Sequence, residues 1–189
     1  VIDERGYARL VANHCHTDHT ELSLEVDEAY QLFKRTIGLF DDLSTFDGGL
    51  FSTFMLCLKV RELGVRVVLV GEGADEVFGG YSWFYLSQNP FRWLPLSIIS
   101  KLYYYATMRI VTQKRFSRYP STLDARLKEF PGSYFKKIQA NEIIYSLPNH
   151  YCMKLDKGSM AASVEARAPF LDFRVVEAAR LMDDWLMMG

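Results

Sequence analysis

The sequence predicts an α/β fold, helix-rich and built on a parallel sheet. Three observations carry this expectation. Val65-Arg66-Val67-Val68-Leu69-Val70 is a continuous, mostly β-branched run between Gly64 and Gly71, the mark of a strand covered on both faces. A helical stretch from about Leu50 to Leu63 leads into it, and Gly64 supplies a left-handed stop between the two. A glycine-rich turn follows directly. Helix, glycine, buried strand and glycine turn is the order of an open α/β sheet, whose ligands sit at the carboxyl ends of strands.

The other elements follow from periodicity. Residues 3–14 have a helical rhythm, with Tyr7, Leu10, Val11 and His14 on one side. Thr20–Leu24 alternates polar and apolar residues and suits a short half-buried strand. From Val26 to Phe40 the apolar residues Val26, Tyr30, Phe33, Ile37 and Phe40 step by three and four, an amphipathic helix. A polar loop spans Asp41–Gly49. From about Trp83 the pattern is helical, with breaks expected at Pro90, Pro95, Pro120, Pro131 and Pro148. Phe173–Leu186 closes the chain as an amphipathic helix, with Val175, Ala178, Ala179 and Met182 on one face and Asp172 placed to cap it.

Composition narrows the function classes. The chain has 189 residues, 49 % of them hydrophobic and 24 % charged, which suits a folded domain with one sizeable core. Lys plus Arg is 22 and Asp plus Glu is 23, for a net charge of −1. That balance argues against a dedicated nucleic-acid binder. The basic cluster Lys114-Arg115-Phe116-Ser117-Arg118 therefore reads as a solvated loop rather than a phosphate patch. Cys15, Cys57 and Cys152 are odd in number and form no CxxC pair, which fits a reducing compartment. The most apolar stretch, Trp93–Val111, is interrupted by Lys101 and Arg109, so it reads as a buried aromatic helix rather than a membrane span. The expectation is a cytoplasmic chain. It opens on Val1 without an initiator Met or a signal h-region, as an internal piece of a longer protein would.

Chemistry concentrates in two blocks. The first is Gly71-Glu72-Gly73-Ala74-Asp75-Glu76-Val77-Phe78-Gly79-Gly80-Tyr81. Glycines 71 and 73 let the backbone turn sharply and let a ligand approach the main chain. Glu76 occupies the third glycine position of a dinucleotide fingerprint, which counts against a dehydrogenase. Glu72, Asp75 and Glu76 would repel a bare pyrophosphate, so a phosphate ligand here needs a divalent cation, and Mg²⁺ suits that role. The competing explanation is an acidic turn capping the next helix. The second block runs from Leu155 to Asp172. Pro169 favours extended backbone before it, which would put Glu165 and Arg167 on one side as a charge pair. Taken alone, that pair reads as a structural tether. His14, Cys15, His16 and His19 straddle a helix end and a strand start without a second ligand group at zinc spacing, so they read as structural or solvent-facing.

Together, GEGADEVFGGY and, about eighty residues later, DKGSMAASVEARAPFLD resemble the synthetase domain of glutamine-dependent asparagine synthetases. ANHCHTDHTEL and LKVRELGVRVVLV extend the likeness over essentially the whole chain. The resemblance implies the fold of the ATP pyrophosphatases. It also implies a reaction in which ATP adenylates a carboxylate, and ammonia from glutamine then displaces AMP to give an amide, AMP and pyrophosphate. Val70 and Gly71, with Gly73 in the same turn, fall where the family's backbone meets the nucleotide. Glu72 matches the glutamate that activates the incoming ammonia or intermediate. Asp75 matches the aspartate that holds Mg²⁺ and pyrophosphate. Asp156, Lys157, Ser159, Glu165 and Arg167 match the block that closes the nucleotide site. The family usually has serine where Val70 stands, so a hydroxyl is missing there.

The family's SGGxDS pyrophosphate loop, its GKxxLR-like segment and its amino-terminal glutaminase do not occur in the 189 residues. The expectation is an incomplete synthetase domain, with residues 1–81 as an α/β nucleotide-binding part and 82–189 as a mainly helical part. Such a piece would be inactive by itself. The expected partners are ATP, Mg²⁺, a carboxylic acid (aspartate) and ammonia, with neither nucleic acid nor membrane. Alternatives are amidation of another acceptor, such as a sugar acid, or a non-catalytic interaction module. In the family's strand order Thr20–Leu24 and Val65–Val70 do not pair with each other. Each would then show an open edge, inviting self-association as a homo-oligomer or packing against a displaced segment.

Overall fold

A computed structural model describes residues 5–22, 25–39, 48–87, 91–107 and 119–188. Helix α1 (Arg5–His14) forms where the apolar rhythm places it. Helix α2 (Val26–Ile37) carries Asp27 and Glu28 in its first turn and Lys34 and Arg35 in its last, each sign at the end the helix dipole favours. It stops at Gly38; Phe40, expected as its last residue, and 41–47 of the expected loop lie outside the described residues. The strand expected at Thr20–Leu24 does not form over residues 20–22. Arg9 of α1 instead forks onto the Glu21 carboxylate and ties this stretch to the helix, with its Nη2 2.6 Å from Oε2. Ser23, Leu24 and the basic cluster 114–118 lie outside the described residues.

Helix α3 (Gly48–Glu62) ends through Gly64, which sits at φ +82° while the Val65 amide reaches back to the Val60 carbonyl at 3.2 Å. Strand β1 (Val67–Leu69) follows. Its partner is a strand that the sequence shows only as an extended segment. β2 (Glu165–Arg167) lies parallel to β1, with Val67 opposite Glu165, Val68 opposite Ala166 and Leu69 opposite Arg167. Three residues of β2 carry too little periodicity to announce a strand, and the pairing is set by tertiary structure.

The expectation that Val65–Val70 is covered on both faces is corrected. Val68 packs towards Phe54, Cys57, Ala162 and Val164, but Val67 is 45 % and Leu69 74 % exposed. Side chains alternate along a strand, so covering one face leaves the odd-numbered residues on the open one.

The largest apolar cluster belongs to the helices. Helix α4 (Ala74–Phe78) opens this part, followed by a 3₁₀ turn at Ser82–Ser87. Helices α5 (Leu96–Thr107), α6 (Tyr119–Glu129) and α7 (Tyr134–Asn141) then pack around Phe84, Tyr103, Leu127, Phe135 and Ile138. Pro148 does not break the chain here, contrary to expectation. It lies inside a π-helix (Glu142–Tyr151) that joins α7 to α8 (Cys152–Ala161). The wider i→i+5 turn, closed by Cys152 N–H to the Leu147 carbonyl, moves the backbone away from the pyrrolidine ring. α8 lies close against α3 at Gly158, where a Cβ would stand 3.0 Å from Thr53 Cγ2 and 3.2 Å from Phe54 N.

The expected terminal helix is two helices, α9 (Phe173–Leu181) and α10 (Asp184–Met188). Asp172 caps α9 as anticipated, accepting from the Arg174 amide at 2.9 Å. Lys136 ends it, donating to the carbonyls of Ala179 and Met182 at 3.2 and 2.7 Å. Those are carbonyls that a continued helix would have used internally.

Candidate functional site

The site grows from the end of β1. Val70 N–H bonds to the Arg167 carbonyl at 2.9 Å, so the sheet ladder continues to the first residue of the glycine turn. This contact joins the two blocks at the head of the turn. Gly71 is exposed, and the space where its Cβ would stand is open within 4 Å, which leaves its backbone approachable. Gly73 is different. It stands at φ +91°, and a Cβ there would fall 2.1 Å from Leu171 Cδ2. The close approach that Gly73 permits is therefore to the 3₁₀ turn Pro169–Leu171 of the second block.

The three carboxylates of the turn part company. Glu76 is 2 % exposed and accepts a hydrogen bond from the Tyr81 hydroxyl at 2.5 Å. Asp75 is exposed in the first turn of α4; its carboxylate lies over Gly80, and its carbonyl accepts from the Gly79 and Gly80 amides at 2.8 and 3.0 Å. Glu72 is half-buried. Burial pushes up the thiols of Cys57 on α3 and Cys152 on α8, and the negative charge of Glu72 raises both further.

The second block spreads over α8 and β2. Asp156 is exposed. Lys157 Nζ donates to the Leu39 carbonyl at 3.3 Å, bridging α8 to the end of α2. Ser159 is buried, with its hydroxyl on the Asp156 carbonyl at 3.3 Å. Ser163 takes a left-handed φ of +56° at the exit of α8, a position that favours glycine. Glu165 and Arg167 form the expected pair at 2.8 Å on the open face of the sheet. The structure thus brings Val70 beside Arg167 and sets Glu165 with Arg167 on the open sheet face, while Gly73 and Ser159 are turned into packing.

Sequence reasoning passed over a polar network behind the turn. Gln139 Nε2 donates to the Val77 carbonyl at 2.6 Å and holds α4 from α7. Glu142, 2 % exposed, accepts from the Tyr103 hydroxyl and from Trp83 Nε1 at 3.1 Å. Asn141 Nδ2 donates to the Tyr103 oxygen at 2.9 Å. Burial pushes the Glu142 carboxyl above the ordinary carboxylate range against the pull of these donors. The available signal was the polar triplet Gln139, Asn141 and Glu142 beside Ile138 and Ala140, where an amphipathic helix would place apolar residues.

Among the described residues no three His, Cys, Asp or Glu side chains gather as a metal cage. The donor set fits Mg²⁺, which is held by one or two carboxylates together with phosphate oxygens. Asp75 is exposed beside the open turn. No helix of the described residues is long and apolar enough to cross a membrane.

Comparison with known proteins bears on the whole chain. The family model described as asparagine synthase matches residues 2–186. The glutamine-hydrolysing asparagine synthetase 3 of Arabidopsis thaliana is 28 % identical over 183 residues, covering 95 % of this chain and 24 % of that protein. The glutamine-hydrolysing asparagine synthetase 2 of Oryza sativa subsp. japonica is 28 % identical over 184 residues, 96 % of this chain and 24 % of its own length. Asparagine synthetase B of Escherichia coli strain K12 is 26 % identical over 174 residues, 91 % of this chain and 24 % of its own. The chain spans about a quarter of the length of these relatives.

Proposed function

The chain belongs to the asparagine synthase family, and we propose that it supplies the adenylating site of an ATP-dependent ligase that forms an amide from a carboxylic acid. The acceptor in this reading is aspartate, and ammonia comes from glutamine. Residues 1–81 supply the nucleotide turn, and 82–189, mainly helical, supply the block that closes it, within the cytoplasm. The observation that carries the reading is the parallel pairing of β1 with β2, which sets the glycine turn beside the second block across about a hundred residues of sequence.

The chemistry follows from placement. Val70 and Gly71 offer backbone to the nucleotide, with Gly71 the open position, and Gly73 shapes the turn by packing against Leu171. Mg²⁺, held by Asp75, would neutralise phosphate charge when bound. Asp156, Lys157, Glu165 and Arg167 form the opposite wall, with Ser159 packed behind it; the exposed Arg167 guanidinium is a charge and a fork suited to phosphate. Glu72, half-buried with its charge felt at Cys57 and Cys152, is the acceptor for a proton lost by ammonia as it attacks the activated carboxyl. Its shelter from solvent strengthens that role.

Glu72→Gln keeps the shape and removes the proton acceptor. In the full-length protein amide formation should fall about 10²–10⁴-fold, the usual worth of general acid–base catalysis, while glutamine hydrolysis persists. Unchanged amide formation would leave Glu72 a structural carboxylate and overturn the assignment.

A further inference from the structure

Helix α4 has five residues, too few to hold its own shape. Its position is therefore set by what grips it. On one side Gln139 holds the Val77 carbonyl at 2.6 Å, and Phe135 fills the space over Gly79, where a Cβ would come within 2.7 Å of the ring. Both residues belong to α7. On the other side the grip is Tyr81. Its hydroxyl donates to Glu76 at 2.5 Å and shares a hydrogen bond with the Tyr151 hydroxyl. Its ring stacks on Trp83, with centroids 4.2 Å apart and planes 23° from parallel, and lies 6.1 Å and 22° from the Tyr151 ring.

The significance lies in what each end carries. Glu76 sits one residue after Asp75 and four after Glu72. Tyr151 is the last residue of the π-helix and leads directly into α8, which carries Asp156 and Lys157. The Tyr81 proton is committed to the Glu76 carboxylate, and the Tyr81 ring packs alongside that of Tyr151. Buried and bound in this way, the Tyr81 phenol is held well above its ordinary range and stays protonated. The chain Tyr151–Tyr81–Glu76 is therefore a short link between the turn and the start of α8.

We propose that Tyr81 is a positioning residue that sets the register between the Glu72–Asp75 turn and the Asp156–Lys157 helix. The inference rests on the functional reading above and adds a residue to it. Each wall keeps its own ground-state contacts when the link is cut, but the two lose their common alignment. Misplacement of about 1 Å can cost about 10²-fold in rate, so the loss belongs in kcat more than in KM for ATP.

The test uses the full-length protein with Tyr81→Phe, which keeps the ring stack and removes the hydroxyl. The expected result is a fall of at least about tenfold in kcat for amide formation. KM for ATP should change less than about threefold, glutamine hydrolysis should be unaffected and the melting temperature close to wild type. Glu76→Gln still offers an acceptor to the hydroxyl and should stay within about threefold of wild type, whereas Glu76→Leu should match Tyr81→Phe. If Tyr81→Phe does not fold, Tyr151→Phe removes the neighbouring hydroxyl and should also lower kcat selectively. Glu72→Gln, run alongside, separates the two claims. If Glu72→Gln abolishes synthesis while Tyr81→Phe or its substitute leaves kcat within twofold, the positioning role is overturned and the function stands. If Glu72→Gln has no effect, the functional reading fails first.

Discussion

The helical half and the sheet treat their charges and apolar side chains in opposite ways. Around α5, α7 and the π-helix, the carboxylate of Glu142 is buried among Tyr103 and Trp83, and the rings of Phe84 and Phe135 are out of solvent altogether. In the sheet, Val67 and Leu69 stand largely in water, and the Glu165–Arg167 pair is exposed on both sides. The difference teaches where rigidity and chemistry reside. The helical half is a closed scaffold that fixes the turn from behind, and the sheet presents an open face. Glu72 and Glu76, four residues apart in one motif, fall on either side of that division.

The strongest way to break the comparison is to remove a side chain from the closed half. Phe135→Ala empties a fully buried site and uncovers Gly79, so chemical denaturation should show a loss of about 3–5 kcal/mol. Leu69→Ser on the open face should change stability by less than about 0.5 kcal/mol. Equal losses at the two positions would mean that the sheet face is covered in solution, as by self-association through the open strand.

A gentler perturbation sharpens the same contrast through pH. Glu142 is held above the ordinary glutamate value of 4.5, chiefly by burial, with the charge of Glu76 adding to it. The native state therefore keeps a proton that the unfolded chain gives up. Stability from this group is complete below about pH 4.5 and is lost as pH rises through the raised value. Glu142→Gln cannot titrate yet still accepts from Tyr103 and Trp83. Its stability should be flatter than that of the native chain over that interval. The same slope in both proteins would show that Glu142 is ionised throughout.

Local signals in the sequence were the reliable ones. Gly64 stops α3, Asp172 caps α9 and Pro169 extends the backbone enough for Glu165 to meet Arg167. Each depends on residues within one turn of each other. What escaped was non-local. β2 is a strand because β1 lies beside it, and Glu21 is held by Arg9 of α1, twelve residues away. Pro148 is tolerated because the helix widens around it, which no proline rule anticipates. At the site, the residue types of the glycine turn pointed to phosphate chemistry and the family resemblance supplied roles. The residue types alone could not distinguish Glu76, turned inward to Tyr81, from Glu72 and Asp75.

The central claim is that the turn after β1 and the block on α8 and β2 form two walls of one nucleotide site. Amide and methyl shift mapping of the isotopically labelled chain during titration with ATP–Mg²⁺ tests it directly, and it remains sensitive at millimolar affinity, about −4 kcal/mol. The account predicts that signals of Val70–Asp75 and of Asp156–Arg167 move together along one binding curve, while Phe84, Leu127 and Ile138 stay in place. Movement of only one block, separate curves for the two, or a response centred elsewhere would contradict it.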